Sequence, residues 1–520
     1  SNCITHVRQD TINTRSVLFL ASENGALPGG KVGGVGDVVR DLPVALADIG
    51  WRATVATPSY GALHEIDGAE KLGSIQVIYR GFNESLDTWR VPGGDERVEN
   101  LVFDHPLFAA DGKGLIYFGE DGPRPFATDA NKFALFCAAG AAWAAQHRPD
   151  VVHLHDWHAA MFLLFRDVDI PTVFTIHNLS YQGTRPLWDD ESSLEAWFPG
   201  MTTDFDAIVD PAHDNCINPM AAAIRLADKV STVSDTYAGE ICRPSDPQAG
   251  FIGGEGLEEL LAEARAEGRL VGILNGCEYD QPKLRRPGWL RLLGMFEAQL
   301  HDWQQRDPGN EAHRLALQRI ENFPKRRPLH VLTSIGRLVA QKATLLLHGA
   351  EWNESPLERI ANALERKAAI LILGSGEKVF EDRLLEVTQR CPNVLFLKGY
   401  SEMLAEPVYA AGDLFLMPSS FEPCGISQML AMRNGQPCVV HGVGGLRDTI
   451  QHGETGFIFD GDTAQEQADN FVDATLAALA QRASDPAEWK AICDRAKAQR
   501  FSWALAAERT VKELYGFTDE

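Results

Sequence analysis

The stretch at residues 419–428 decides how the rest of the chain is interpreted, and it reads Ser-Ser-Phe-Glu-Pro-Cys-Gly-Ile-Ser-Gln. An apolar, strand-like run at 413–418 precedes it, and a helix-like segment at 425–433 follows it. Glu422 is therefore predicted at a strand-to-helix corner, where open α/β sheets hold ligand-binding groups. Because a lone glutamate in a loop is more often a solvated side chain, this interpretation needs a second corner.

A glycine-rich corner lies far upstream, at residues 31–37, and reads Lys-Val-Gly-Gly-Val-Gly-Asp. It follows a continuous apolar run at 16–22, typical of a buried parallel strand. Glycines let a ligand approach the backbone, and amides at the head of a helix suit phosphate. The spacing fits neither the dinucleotide fingerprint nor the Walker loop, so a structural glycine turn remains an equal alternative. We predict that the two corners form opposite walls of one cleft.

Length and composition indicate a two-domain protein of α/β type. A chain of 520 residues is too long for one ordinary core. The 48 Lys and Arg against 72 Asp and Glu give a net charge of −24, which argues against nucleic acid or an anionic membrane as partner. The nine cysteines are dispersed without a CxxC pair, as expected of reduced thiols inside a cell. No apolar run reaches the ~18 residues of a membrane span, and 1–15 lacks the apolar core of a signal peptide.

Short apolar runs alternate with helical patterns along both halves of the chain. This alternation predicts parallel, doubly wound sheets. The strand candidates are 16–22, 53–57, 151–155, 172–176 and 229–234 in the first half, and 330–334, 369–373, 393–397, 413–417 and 437–440 in the second. We predict an N-terminal domain at 1–282, a helical connection at 283–327, a C-terminal domain at 328–500, and a C-terminal helix at 501–520 that would pack back on the N-terminal domain.

Two cations follow the first predicted strand of the second half. Arg337 and, five residues on, Lys342 could direct a guanidinium fork and a point charge at a diphosphate. Two surface cations are an equal alternative. The glycine corners at 374–376 and 442–445 also follow strands, and the second could present amides to a phosphate.

Histidines and an aspartate end two predicted strands of the first half. The run His-Leu-His-Asp-Trp-His begins at His153, but alternate strand residues share a face, so His153 and His155 point away from Asp156, and we predict no zinc site. Asp156 is interpreted as a hydroxyl acceptor. His177 ends a buried strand, where a core histidine is the usual alternative. The D-x-D triplets at 167–169, 204–206 and 460–462 receive no metal role.

Taken together and in order, four segments resemble the bacterial glycogen synthase and plant starch synthase family. The segment at 155–159 reads His-Asp-Trp-His-Ala, and that at 175–183 reads Thr-Ile-His-Asn-Leu-Ser-Tyr-Gln-Gly. The other two are the glycine corner at 31–38 and Phe-Glu-Pro-Cys-Gly at 421–425. Supporting matches lie at 232–234, 274–276, 337, 341–342 and 444–449. The resemblance spans nearly the whole chain.

The resemblance implies a GT-B fold, in which two Rossmann-like, doubly wound parallel-sheet domains face a central cleft. It implies retaining transfer of glucose from ADP-glucose to the non-reducing end of an α-1,4-glucan (glycogen or starch), without cofactor, metal, nucleic acid or membrane, in the cytoplasm or the stroma of a plastid. The catalytic residues that it implies are Glu422, Arg337, Lys342, His177 and Asp156. The substrate-binding residues that it implies are Lys31, Gly33, Gly34, Asp37, Asn275, Gly374, Tyr400, Cys424, Gly425, Gly444, Gly445, Leu446 and Thr449.

Some positions depart from the family pattern. Ala221 stands where the family commonly has Lys, Ala343 stands where it has Gly, and its Tyr-Asp-Arg element is not recognisable at 119–124. Two other classes remain open. A glucan-binding or regulatory protein with a degenerate cleft would show no turnover, and a GT-B transferase of the sucrose synthase type would prefer UDP-glucose to ADP-glucose.

Overall fold

The computed structural model describes residues 14–167, 169–280 and 285–517. They form two compact units. The first unit takes the described residues up to Ser231, with Leu260–Val271 and those from Trp503 onward, and the second takes Thr232–Glu259 and the described part of Gly272–Ser502. The predicted boundary between 282 and 283 lies outside the described residues. The division thus differs from a single N-terminal block, because the chain leaves the first unit at 231 and returns to it twice.

A nine-stranded sheet forms the centre of the first unit. The first eleven strands of the chain, nine of which form this sheet, are β1 (Ser16–Leu20), β2 (Arg52–Pro58), β3 (Glu70–Tyr79), β4 (Phe82–Arg90), β5 (Val98–Asp104), β6 (Val151–His155), β7 (Thr172–Ile176), β8 (Arg185–Pro186), β9 (Cys216–Ile217), β10 (Lys229–Thr232) and β11 (Leu270–Gly272). β8 and β9 form a separate antiparallel pair. The order across the large sheet is β11-β10-β7-β6-β1-β2-β5-β4-β3.

The chain order reverses at β1, which pairs in parallel with β2 on one side and β6 on the other. Ligands of open α/β sheets bind outside the carboxyl ends of the strands at such a reversal. Glu23 follows the end of β1, and Asp156 follows the end of β6 directly. The parallel sheet confirms the predicted fold class, while the hairpin of β3 and β4 adds an antiparallel edge that the sequence analysis did not predict.

Helices of the first unit connect these strands. The longer ones keep an apolar stripe against the sheet: Val38, Leu42 and Leu46, at helical spacing, are all buried. The helices are Gly34–Asp48, Ala127–His147, Trp157–Ala160, Leu194–Trp197, Phe205–Ile208, Pro219–Leu226, Glu258–Ala266 (which begins in the second unit) and Trp503–Arg509, with 3-10 turns at Leu63–Glu65, Pro106–Ala109 and Met161–Leu164 and a π-helix at Thr510–Tyr515.

The last of these segments returns to the first unit after the second unit is complete. Tyr515 packs its ring 5.1 Å from that of Trp51 and hydrogen-bonds through its hydroxyl to Nδ1 of His153 at 2.7 Å. Val511 and Leu514 are buried beside it. The first unit therefore needs a segment that lies hundreds of residues from the rest of its sequence.

A six-stranded, wholly parallel sheet forms the second unit. Its strands are β12 (His330–Ile335), β13 (Ala368–Gly374), β14 (Val394–Lys398), β15 (Leu414–Met417), β16 (Cys438–His441) and β17 (Phe457–Phe459). The order β14-β13-β12-β15-β16-β17 is the 3-2-1-4-5-6 arrangement of a doubly wound nucleotide-binding sheet. The reversal lies between β12 and β15, whose carboxyl ends lead to Arg337 and Glu422.

Alternating side chains divide the apolar core of this unit into two layers, one on each face of the sheet. Ile370 and Ile372 of β13 belong to one layer, and Ala369 and Leu371 belong to the other. The helices are Asp235–Glu240, Trp289–Arg306, Glu311–Asn322, Ala340–Ala343, Pro356–Leu364, Lys378–Arg390, Glu402–Ala411, Ser427–Arg433, Gly444–Thr449, Ala464–Ser484 and Pro486–Ala498, with a 3-10 turn at Glu365–Lys367. Within the described ranges, no helix has both the length and the apolarity needed to cross a bilayer.

The helices predicted as a connection are integral to the second unit. Phe296 and Leu300 of Trp289–Arg306 are fully buried in one of its core layers. The segment 232–259 also belongs to this unit rather than to the N-terminal one. Local patterning finds such elements, but their place depends on contacts with strands far along the chain.

Candidate functional site

Glu422 lies in the loop after β15 with its carboxylate held on both oxygens. Oε2 accepts a hydrogen bond from Oγ of Ser419 at 2.9 Å, and Oε1 accepts one from Nε2 of Gln341 at 3.2 Å. Nζ of Lys342 lies 4.0 Å from Oε2. The residue is 6% exposed, so a buried acid is fixed in position next to a cation. Such an arrangement can orient polar groups of a ligand with little reorganisation.

Arg337 follows β12, and its side chain is exposed, whereas that of Glu422 is buried. No residue of the described ranges forms an ion pair or hydrogen bond with its guanidinium. With Lys342 and Ser419 it lines a small pocket of about 30 Å³ between the carboxyl ends of β12, β13 and β15. A free guanidinium and a half-exposed ammonium can therefore both reach an anion at this edge of the sheet.

Two glycine corners of the second unit permit close contact between backbones. A Cβ on Gly444 would collide with the carbonyl of Glu422, and one on Gly445 would collide with the backbone of Cys424. Gly374 likewise packs against the backbone of Gly336. The predicted phosphate amides have other partners: that of Gly444 donates to Glu240 at 2.9 Å, and that of Gly445 donates to the carbonyl of Glu422 at 3.0 Å. These glycines thus seat the loop that carries Glu422.

The remaining predicted residues of this unit surround the same loop. Burial raises the pKa of the Cys424 thiol to about 12, and the backbone amide of Asn275 acts on this thiol in the opposite direction. Oγ1 of Thr449 donates to the carbonyl of Gly445 at 2.7 Å, and Leu446 is fully buried next to it. Gly425 has a φ of 78°. Tyr400, which is 63% exposed, follows β14 instead.

In the first unit the glycine corner is held by a glutamate that the sequence analysis did not single out. Oε1 of Glu23 accepts from the amides of Val32 at 2.6 Å and Gly33 at 2.7 Å. The hydroxyl of Tyr117 donates to its other oxygen at 2.6 Å. The only sequence signal is that Glu23 follows the predicted strand at 16–22. Two successive amides on one carboxylate oxygen form the kind of concavity that binds an anion.

The other residues of this corner lie at the surface, where two glycines are uncrowded and Lys31 forms an ion pair. A Cβ on Gly33 or Gly34 would meet nothing within 4 Å, so the outer side of the turn is free for close approach. Nζ of Lys31 pairs with Asp37 at 2.6 Å, and both side chains are partly exposed. Lys31 would have to exchange this partner for a ligand.

Asp156 and His177 lie together after β6 and β7. Oδ1 of Asp156 accepts from the backbone amide of His177 at 2.7 Å. The backbone of Asp156 has a φ of 57°, an uncommon value outside glycine that recurs at functional sites. Burial raises the pKa of Asp156 to about 7 and lowers that of His177 to about 4. Asp156 thus fixes the turn at His177, and a hydroxyl acceptor role would use its other oxygen.

The histidines form a buried, neutral stack instead of a metal site. His153 and His155 stack with ring centroids 4.4 Å apart, and Nδ1 of His155 is hydrogen-bonded to Nε2 of His177 at 2.9 Å. Burial lowers the pKa of His153 to about 3. Among the described residues, no group of three or more His, Cys, Asp or Glu side chains is arranged to hold a metal ion.

Each unit thus carries fixed polar groups at the carboxyl edge of a parallel sheet, and the second adds two cations that an anion can reach. Two such units, the second with the strand order of a nucleotide-binding sheet, agree with the GT-B fold of glycosyltransferases. One solved structure supports this directly: the catalytic domain of starch synthase IV from Arabidopsis thaliana, bound to ADP and acarbose, matches with a TM-score of 0.72 at 27% identity, over 97% of this chain and 99% of that one. Sucrose-phosphate synthase from Thermosynechococcus elongatus, at 17% identity and a TM-score of 0.54, shares the fold.

Sequence comparison gives the family. The starch synthase catalytic domain matches residues 16–263, and group 1 glycosyl transferases match residues 330–480. The chain is 32% identical to glycogen synthase 1 of Synechocystis sp., over 96% of this chain and 94% of that protein. It is 33% identical to the glycogen synthase of Gloeobacter violaceus, over 95% and 97%. The chain belongs to the family of glycogen synthases and starch synthases.

Proposed function

We propose that the protein transfers glucose from ADP-glucose to the non-reducing end of an α-1,4-glucan, with retention at the anomeric carbon. The observation that carries the proposal is the buried Glu422, which accepts hydrogen bonds on both carboxylate oxygens and lies beside the accessible cations Arg337 and Lys342. These groups lie at the reversal of the sheet order, where a nucleotide-binding sheet receives its ligand.

The proposed chemistry follows from charge. When the bond between the anomeric carbon and the diphosphate breaks, negative charge develops on the departing ADP. Arg337 and Lys342 would stabilise this charge, which is why no metal or other cofactor is proposed. Glu422, held on both carboxylate oxygens, would orient hydroxyl groups of the sugar.

The test uses purified protein with a glycogen primer. We expect ADP release from ADP-glucose, incorporation of labelled glucose into the polymer, and an α-linked product by NMR. Glu422→Gln, which keeps the shape but removes the negative charge, serves as the inactive control. Absence of ADP release, while a known glycogen synthase releases ADP in the same assay, would refute the proposal and favour a glucan-binding protein.

The donor is tested in the same experiment. We propose ADP-glucose over UDP-glucose, and a higher kcat/KM with UDP-glucose would reverse this part of the proposal.

Ala221 and Ala343 are the two positions at which this chain departs from the Lys and Gly of the family pattern. Both are buried, so neither side chain lies at the surface.

Every cysteine in the described ranges is a free thiol, which agrees with a reducing compartment such as the cytoplasm.

A further inference from the structure

A short segment of the second unit forms hydrogen bonds to the loop that carries Glu422 and to the glycine corner and helix at 442–449. This segment, Ser234–Glu240, is called the clasp below. Oγ of Ser234 donates to the carbonyl of Pro423 at 2.6 Å. The amide of Thr236 donates to Oδ2 of Asp448 at 3.0 Å. At the end of the clasp, Oε1 of Glu240 accepts from the amide of Gly444.

Glu240 is the buried, titratable member of the clasp. It is 8% exposed, and burial raises its pKa to about 7. The charged groups that face it are Arg243 beyond its own helix, and Arg447 and Asp448 of the helix Gly444–Thr449. Each has another partner: Arg243 lies over the ring of Phe251 at 4.4 Å, Arg447 pairs with Asp460 at 2.6 Å, and Asp448 bonds Thr236. The Gly444 amide is therefore the hydrogen-bond donor to Glu240 at this contact.

The backbones of Gly444 and Glu422 are in direct contact, so the position of one determines the position of the other. Gly444 has a φ of 47° and lies so close to the Glu422 carbonyl that a Cβ could not fit between them. The next amide, that of Gly445, donates to the same carbonyl at 3.0 Å. A displacement of Gly444 must therefore move the backbone of Glu422, because interiors at this density do not absorb small shifts.

We propose that Glu240 is a positioning residue for the glucosyl transfer, whose carboxyl group holds Gly444 and, through it, the backbone of the sugar-orienting Glu422. This inference rests on the proposed function of the Glu422 site. Glu240 touches no substrate and acts only through the clasp. An ionised carboxylate forms a shorter and stronger hydrogen bond than a neutral acid, so the hold on Gly444 tightens as the pH rises through about 7.

Three variants test the inference. Glu240→Ala removes the acceptor, and we expect kcat to fall about tenfold or more with a smaller change in the KM for ADP-glucose, because misplacement of a reacting group costs rate. Glu240→Gln keeps an acceptor oxygen, and we expect its kcat within about threefold of the unmodified protein. We expect kcat of the unmodified protein to rise with pH around pH 7, and Glu240→Gln should remove the part of this rise that is due to Glu240 and leave any part due to Asp156. The exposed Glu386→Ala is the matched control and should change neither value.

The contact itself is tested without substrate. Hydrogen exchange of the peptide containing Gly444 should be faster in Glu240→Ala and unchanged in Glu240→Gln. Unchanged kcat in Glu240→Ala, or a loss that Glu240→Gln does not restore, would overturn the inference. If the alanine variant fails to fold, a wild-type pH profile in Glu240→Gln overturns it alone. Absence of any turnover in the unmodified protein would refute the proposed function instead, and hydrogen exchange would still decide on the clasp.

Discussion

Arg337 and Glu422 follow neighbouring strands, β12 and β15, yet their side chains differ in burial and in hydrogen bonding. The carboxylate is buried and bonded on both oxygens, whereas the guanidinium is exposed and has no partner among the described residues. A buried, paired charge is held for geometry, and an accessible cation is available for a ligand. This contrast separates a residue that orients the sugar from one that receives the leaving group.

Replacing either cation tests that separation. We expect Arg337→Ala and Lys342→Ala each to lower kcat about 100-fold or more, the effect of removing a donor directed at transition-state charge. Arg366→Ala, which changes an exposed arginine of the same unit, is the matched control. The measurement is ADP release at saturating donor and primer. Rates near that of the unmodified protein would identify both side chains as surface charges.

Asp156 gives a pH-dependent test. Its pKa is about 7 in the fold against an ordinary 3.8, so the folded state binds this proton more tightly than the unfolded state. The carboxyl therefore contributes stability below pH 4 that is lost as the pH rises through 7. Between pH 5 and pH 8 we expect the unfolding free energy, relative to that of Asp156→Asn, to fall by about 2–3 kcal/mol.

Chemical denaturation at both pH values measures this difference. The histidines His153 and His177 have lowered pKa values and act in the opposite direction, since they lose stability as the pH falls below 6.5. They are present in both proteins, so their contribution cancels. A difference that does not change with pH would mean that Asp156 is ionised throughout this range.

Sequence patterning predicts Glu422, Arg337 and Asp156 as site residues because each follows a strongly apolar run. It does not identify Glu23 or Glu240, although each binds a glycine corner through its carboxylate. Glu240 is hundreds of residues from Gly444 in sequence, and nothing in local patterning reports such a pairing. Motif spacing therefore finds the groups that lie at strand ends and misses the carboxylates that hold those loops.

At the scale of elements, central strands are predictable and edge strands are not. The runs predicted at 151–155 and 172–176 agree with β6 and β7 residue for residue, since both are buried on two faces. β3 is exposed over its first half and alternates only near its end, so its pattern is weak. Burial on both faces leaves a clear sequence signal, and partial burial does not.

Asp413, which precedes β15, ties several elements of the second unit together. Its carboxylate contacts Arg286 at 3.0 Å, Arg327 at 2.8 Å and Arg482 at 3.1 Å. It also accepts from the amide of Val331, next to the start of β12, at 2.8 Å. Two strands and the helix Ala464–Ser484 therefore meet at one nearly buried charge.

Removing that charge should be costly. We expect Asp413→Asn to lower the unfolding free energy by about 2–4 kcal/mol, because three arginines would lose their counter-charge. Asp302→Asn, which breaks an exposed pair with Arg306, should change it by less than about 1 kcal/mol. Urea denaturation of both variants gives the comparison. Equal effects would show that the Asp413 cluster is no stronger than a surface pair.

At the scale of the whole molecule, the prediction that activity needs no metal ion can be tested. The described residues contain no metal-binding cluster, and two accessible cations are available to a diphosphate. We expect activity to persist in EDTA, with less than about twofold change, as cationic side chains can stabilise the leaving group themselves. Loss of activity in EDTA and its recovery with magnesium or manganese would show that a metal ion takes part.

The returning C-terminal segment allows a second test at this scale. Deleting the residues after Ser502 removes the buried Val511, Leu514 and Tyr515 from the first unit, so we expect a lower unfolding temperature and exposed apolar surface. Tyr515→Phe keeps the ring but removes the hydroxyl bonded to His153, and should cost about 1 kcal/mol. Calorimetry of both proteins is the measurement. A deletion variant as stable as the full chain would show that the segment adds nothing to the first unit.

The same returning segment determines when the first unit can be completed on the ribosome. Thr232 ends β10, but Tyr515 is synthesised only after the whole second unit. At about 5–20 residues per second, that interval is roughly 15–60 s. Throughout it, the surface around Trp51 and His153 lacks its cover, while the strands of the second unit, from His330 to Phe459, are being synthesised. The unit that begins first is thus finished last.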